Sequence, residues 1–141
     1  MRTFVDYDNS GNRITRRYQT GFLIFLNCAP IYWFSKNQTS IDTISFGYDS
    51  VTMKQCCEYV RGLIYKLRMM GIPVKIPTFV FRDNQSVLSN TPMPHSTLKK
   101  KSSSLDFQFF QEGVEKSEWR TTYLNTHLNP SDMCTKSLPG G

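Results

Sequence analysis

Short runs of apolar and branched residues alternate along this chain with turn-forming clusters, and one long stretch carries its apolar residues at helical spacing. Residues 3–5 are rich in β-formers and lead into D-Y-D-N-S-G-N, a composition that favours tight turns. Residues 18–27 and 31–35 are dense in aromatic and branched side chains and flank N-C-A-P, which predicts antiparallel hairpin partners. From Asp49 onward Met53, Cys56, Val60, Leu63, Ile64, Leu67 and Met70 recur at three- and four-residue steps, the pattern of a long amphipathic helix that Gly71 and Pro73 end. Residues 78–81 form an uninterrupted apolar run, predicted to be a strand buried on both faces, and run straight into Arg82-Asp83-Asn84.

Beyond that strand the pattern predicts a short helix over 85–90, an exposed loop over 91–104 and a helix over 105–114 through Leu105, Phe109 and Val114. A strand over 119–124 and a short helix over 130–136 close the order. Three strands, long helix, strand, helical segments, strand and short helix make an α/β domain with a mixed sheet and helices on its faces. Trp33 and Trp119 are expected in the core.

At 141 residues the chain is long enough to bury one core without staples, and 13% aromatics supply large apolar surfaces. The formal net charge of +6 favours a polyanionic partner, nucleic acid ahead of a membrane surface. Cys28, Cys56, Cys57 and Cys134 show neither zinc-type pairs nor dense disulfide spacing, and are expected to be reduced and mostly buried. The longest apolar run, residues 22–26, is too short to cross a bilayer, and no targeting segment opens the chain. An intracellular monomer without membrane attachment is the expectation. Only five residues precede Asp6, so the sequence also reads as a piece of a larger polyprotein or a degraded copy of one.

Four acids fall at the edges of predicted elements: Asp6 on the first strand, Asp49 opening the long helix, Asp83 ending the fourth strand and Asp132 in the last helix. Asp49 shares the helix face of Met53, Cys56 and Val60, and so is expected to point toward the sheet. Carboxylates converging from separate elements cannot all stay ionised without a cation, and hard divalent metals take oxygen ligands. Two such ions roughly 3.5 to 4 Å apart suit in-line phosphoryl displacement, which predicts phosphodiester hydrolysis. Taken singly, each acid also suits an ordinary role: Asp6 a turn, Asp49 a helix N-terminus, Asp132 a first helical turn.

The segments TGFLIFLNCAPIYWFSKNQTSI, VTMKQCCEYVRGLIYKLRMMGIP, DNQSVLSNT, STLKKKS and LNTHLNPSDMCTKSLP together resemble the ribonuclease H region of copia-type retrotransposon polyproteins, in the family's order and over nearly the whole chain. The resemblance implies a single ribonuclease H-like domain with a five-stranded sheet, three strands antiparallel and then two parallel. It implies a magnesium-dependent endonuclease, with manganese as a substitute, that cuts the RNA strand of an RNA:DNA hybrid and lies downstream of a reverse transcriptase. Position by position, the family's first acid falls on Asp6 in V-D-Y-D, the third on Asp83 in R-D-N-Q-S and the last on Asp132 in N-P-S-D. At the second position the family carries Glu where this chain has Gly47-Tyr48-Asp49. That withdraws the carboxylate by one C–C bond, about 1.5 Å, and a misplacement of about 1 Å can cost on the order of 100-fold in rate.

His127, five residues before Asp132, resembles the family's loop histidine that assists product release or proton transfer, and His95 in its polar loop has no such role. Lys99, Lys100, Lys101 and Asn84 are the expected nucleic-acid contacts. Phe107-Gln108-Phe109 and Gln111 replace a His and an Arg that the family carries, removing basic contacts there. The competing expectation is a hybrid-binding remnant on the same fold whose catalysis is weakened at Asp49. A different nuclease on this fold, integrase-like, fits the segments around Asp83 less well.

Overall fold

A computed structural model describes residues 1–8, 19–37, 45–83 and 100–136; side chains at 7–8, 37, 45–50, 100–104 and 107 lie outside that description. The elements are β1 (Arg2–Asp8), β2 (Gln19–Leu26), β3 (Ala29–Asn37), α1 (Ser45–Met69), β4 (Thr78–Arg82), α2 (Lys100–Glu115), β5 (Trp119–Tyr123), a 3-10 turn (Thr126–Leu128) and α3 (Asp132–Thr135). The sheet runs β3-β2-β1-β4-β5. The β1–β2 and β2–β3 pairs are antiparallel and the β1–β4 and β4–β5 pairs parallel, the pattern that the family resemblance implies.

Strand alternation sorts the sheet into two faces. Val5, Phe22, Ile24, Val80 and Trp119 meet Met53, Cys56, Cys57, Val60 and Ile64 of α1 in the core. Tyr59 of α1 stacks on Tyr32 with ring centroids 4.7 Å apart and packs against Phe22 at 5.6 Å. Helix α1 ends in a Schellman motif: Ile72 N–H donates to Leu67 O and Gly71 N–H to Arg68 O, with Gly71 at φ 78°. Helix α2 lies close against β5, because Gly113 leaves the space in which a Cβ would stand 1.9 Å from Cζ2 of Trp119. The indole Nε1 donates to Phe110 O at 3.1 Å. Arg61 of α1 ties the two helices and β5 together: its guanidinium lies 4.4 Å from the Phe109 ring and its Nε donates to Glu118 at 2.8 Å.

Several expectations are corrected. Strand β4 is buried on one face only; Phe79 is 38% exposed on the other. An unbroken apolar run does not reveal how many layers cover a strand. Here Phe4, Phe25 and Phe81 pack ring to ring on the second face, with α3 at one end of it. Trp33 is 70% exposed, since its neighbours Tyr32 and Phe34 take the inward positions of an edge strand, whereas Trp119 is buried as expected. Helix α1 begins before Asp49, and Met70 lies exposed just beyond its end. Lys100 to Ser104 belong to α2 rather than to a loop, and α2 turns Asp106, Phe109, Phe110 and Gly113 inward while Leu105 and Val114 are exposed. The close approach allowed by Gly113 sets that face. The predicted helix at 85–90 and the loop at 91–99 lie outside the described residues.

All four cysteines are free; Cys56 and Cys57 are buried, Cys134 half-buried and Cys28 exposed. Burial pushes the Cys56 and Cys57 thiols well up, which leaves them inert. Among the described residues no helix is long and apolar enough to cross a membrane.

Candidate active site

Strands β1 and β4 pair in parallel register up to Val5 opposite Arg82, which brings the next residues, Asp6 and Asp83, to the carboxyl end of the pair. Neighbouring strands lie about 4.8 Å apart. In open α/β sheets this end, outside the strand termini, is where ligands bind. Asp6 is 5% exposed and Asp83 half-buried. In the antiparallel ladder Asp6 faces Gly21 of β2. The residue before Gly21, Thr20, turns the opposite way and meets Thr52 of α1, with the two hydroxyl oxygens 3.1 Å apart. Asp6 therefore belongs to the face that carries α3.

Helix α3 has one turn, too short to hold itself by backbone bonds alone, and its neighbours fix it. Gln19 Nε2 and Ser35 Oγ donate to Cys134 O at 3.1 and 2.6 Å. Asn129 is buried; its Nδ2 donates to Val5 O at 3.0 Å, and its Oδ1 accepts from the backbone N–H and hydroxyl of Ser131. The hydroxyl of Thr135, also buried, donates to Oδ2 of Asp6. Gly21 makes the docking possible, because a Cβ there would stand 2.8 Å from Cys134 Cβ and from Thr135 Cγ2.

Asp132 opens α3, and its carboxylate accepts from Lys136 Nζ at 2.6 Å. Asp83 accepts from Thr126 Oγ1 at 3.3 Å, which anchors the 3-10 turn carrying His127 to the end of β4. His127 is exposed on that turn, and its backbone N–H donates to Asn125 Oδ1 at 3.1 Å. The Cys134 thiol is pushed up first by burial and then by the negative charge of Asp6.

Asp49 lies in α1, three residues before Thr52, but its side chain is outside the described residues. So are the side chains of Lys100 and Lys101, and the whole of Lys99, Asn84 and His95. Among the described residues no three His, Cys, Asp or Glu side chains gather closely enough to hold a metal ion. The carboxylates of Asp6, Asp83 and Asp132 are nevertheless the hard oxygen donors that magnesium or manganese takes. Asp6 and Asp83 both lie at the carboxyl end of the β1–β4 pair, and Asp132 is carried by the helix docked on Asp6. The donor chemistry fits such an ion, and Asp132 holds Lys136 through Oδ2. Thr135, Asn129 and Gly21 had no part in the sequence-based site. Thr135 was detectable, standing one helical turn after Asp132 and hence on the same side of the helix.

The sequence is similar along nearly its whole length to segments of transposon polyproteins. It is 24% identical over 140 residues, 98% of this chain, to the Retrovirus-related Pol polyprotein from transposon RE2 of Arabidopsis thaliana. The corresponding polyprotein from transposon RE1 of the same plant is also 24% identical over 98% of the chain. That from transposon TNT 1-94 of Nicotiana tabacum is 25% identical over 99%. The chain spans only 10%, 9% and 10% of the lengths of these curated relatives. No family model matches the sequence, and no solved structure matches it.

Proposed function

We propose that this chain is a ribonuclease H-like domain of a retrotransposon Pol polyprotein, a metal-dependent endonuclease acting on the RNA strand of RNA:DNA hybrids. The observation that carries the reading is that Asp6 and Asp83 each follow the last paired residues of the parallel strands β1 and β4, with α3, which begins at Asp132, docked on Asp6 through Thr135. The similarity to transposon Pol polyproteins supports it, as does the sheet order.

In this reading Asp6, Asp83 and Asp132, with Asp49 from α1, hold two magnesium ions, and manganese substitutes. Bound there, the metal supplies Lewis-acid chemistry for phosphodiester hydrolysis. Asp6 is the buried anchor of the set, oriented by Thr135. Asp83 holds the 3-10 turn through Thr126, which places the exposed His127 at the rim, where an imidazole moves a proton to or from a departing product. Lys99, Lys100, Lys101 and Asn84 contact the phosphates and sugars of the hybrid, read by duplex shape rather than base sequence. The domain works as a monomer inside the cell, after a reverse transcriptase in the polyprotein.

A second reading, a hybrid-binding remnant, is favoured by the ion pair of Lys136 with Asp132 and by Asp49 in place of Glu. A fluorescent RNA:DNA hybrid with magnesium or manganese separates the two. Metal-dependent cleavage is expected, falling on the order of 100-fold in Asp83→Asn and rising about 10-fold or more in Asp49→Glu. Binding without cleavage by the unmutated protein selects the remnant. Unchanged cleavage in Asp83→Asn removes the carboxylate site altogether.

A further inference from the structure

Thr135 has a side chain that neither the family resemblance nor the acid set accounts for. It is buried, lies on a one-turn helix and directs its hydroxyl at Oδ2 of Asp6 on β1. The same oxygen stands 3.2 Å from Asp132 O, one turn earlier in its own helix. A hydroxyl has a single proton. The contact to Asp6 is the closer of the two and its acceptor is a carboxylate, so the proton goes there. The intrahelical contact then only keeps the rotamer in place.

Three further features hold this geometry. Asn129 ties the segment before α3 to the carbonyl of Val5, the residue adjoining Asp6. Gln19 and Ser35 both hold the Cys134 carbonyl, one residue before Thr135. Gly21, opposite Asp6 in the ladder, lacks the Cβ that would keep α3 off the sheet at this point. A one-turn helix anchored so heavily has no large apolar surface to bury, and its Met133 is 70% exposed. The anchoring makes sense if the helix must deliver something accurately.

We propose that Thr135 is a positioning residue for Asp6: its hydroxyl fixes the Asp6 carboxylate in the orientation used to bind the divalent cation, so that docking of α3 sets Asp6 and presents Asp132 in one step. The inference rests on the endonuclease reading and deepens it. Groups that orient a metal ligand from behind typically affect metal affinity or activity about 10- to 100-fold when removed. Valine matches threonine in shape and lacks the hydroxyl, whereas serine keeps the hydroxyl and loses the methyl.

The test compares the unmutated chain with Thr135→Val and Thr135→Ser. Manganese binding is read by electron paramagnetic resonance, and cleavage of an RNA:DNA hybrid is read as kcat and KM separately. Thr135→Val is expected to weaken manganese binding and lower kcat, each by about 10- to 100-fold, with KM for the hybrid unchanged. Thr135→Ser is expected to stay within about threefold of the unmutated chain on both readouts. Thr135→Ala, which also lacks the hydroxyl, replaces Thr135→Val if circular dichroism shows that variant unfolded. Unchanged manganese affinity and kcat in a folded hydroxyl-free variant overturn the role of Thr135 while leaving the endonuclease reading standing. Equal losses in the serine and hydroxyl-free variants also overturn it, by assigning the effect to packing. If the unmutated chain neither binds manganese nor cleaves, the endonuclease reading fails, and this inference with it.

Discussion

Gly21 illustrates how much of the candidate site depends on single atoms. The residue is buried, sits opposite Asp6 and has α3 packed directly over its Cα. A methyl added there meets Cys134 Cβ and Thr135 Cγ2 at 2.8 Å and the Cys134 carbonyl carbon at 3.2 Å. Backbone cannot swing aside as a flexible side chain does, so α3 must move off the sheet. Gly21→Ala is therefore expected to destabilise the fold by about 1 to 3 kcal/mol, the usual cost of overpacking. Urea denaturation followed by tryptophan fluorescence measures it, and an unshifted midpoint means that α3 does not lie this close. At the other end of the sheet Gly113 plays the same part beneath the Trp119 ring. In the sequence both are ordinary glycines, one in a strand and one in a helix.

Helix α1 is joined to its neighbours by polar contacts whose titration makes a prediction at the scale of elements. Between α1 and β3, the hydrogen bond of the Tyr32 hydroxyl to Tyr59, then burial, then the Tyr59 charge push the Tyr32 hydroxyl up to about 12. Between α1 and α2, the hydrogen bond and then the charge of Asp106 raise the Lys54 ammonium above its usual value; the ion pair measures 2.9 Å. Both groups have a folded pKa above the unfolded one. Their contributions are thus fully present below the unfolded values, about 10 for Tyr and about 10.4 for Lys, and are lost as pH rises through the folded values. The melting temperature is expected to change little from pH 8 to about 10 and then to fall up to about 12. In Tyr32→Phe that fall should be shallower. A melting temperature that stays level to pH 12, or an equal fall in Tyr32→Phe, contradicts the coupling of β3 to α1 through these hydroxyls.

For the whole molecule the net charge of +6 sets how the chain meets a polyanion. If two or three phosphates are neutralised, affinity for an RNA:DNA hybrid should fall about 10- to 40-fold between roughly 50 and 200 mM salt, because condensed counterions are released on binding. Fluorescence anisotropy across that range measures the slope, and salt-independent binding rules out a phosphate-contacting interface. Apolar spacing and turn residues determined the five strands, the long helix with its Gly71 end and a mixed sheet, because an element's type follows from local pattern. Spacing also placed Asp83 and Asp132 at element edges, and family resemblance grouped them with Asp6, which lies inside β1 because the strand runs on to Asp8 rather than turning at Asp6. Local sequence could not reveal which face of a strand a second layer covers, so Trp33 and Phe79 were assigned too much burial and Leu105 the wrong side of α2. Nor could it reveal that Thr135 reaches Asp6 across 129 residues of chain, or that Gly21 makes room for it. Such contacts depend on the register between β1, β2 and β4 and on the distance at which α3 docks, and those are fixed only when the elements pack together.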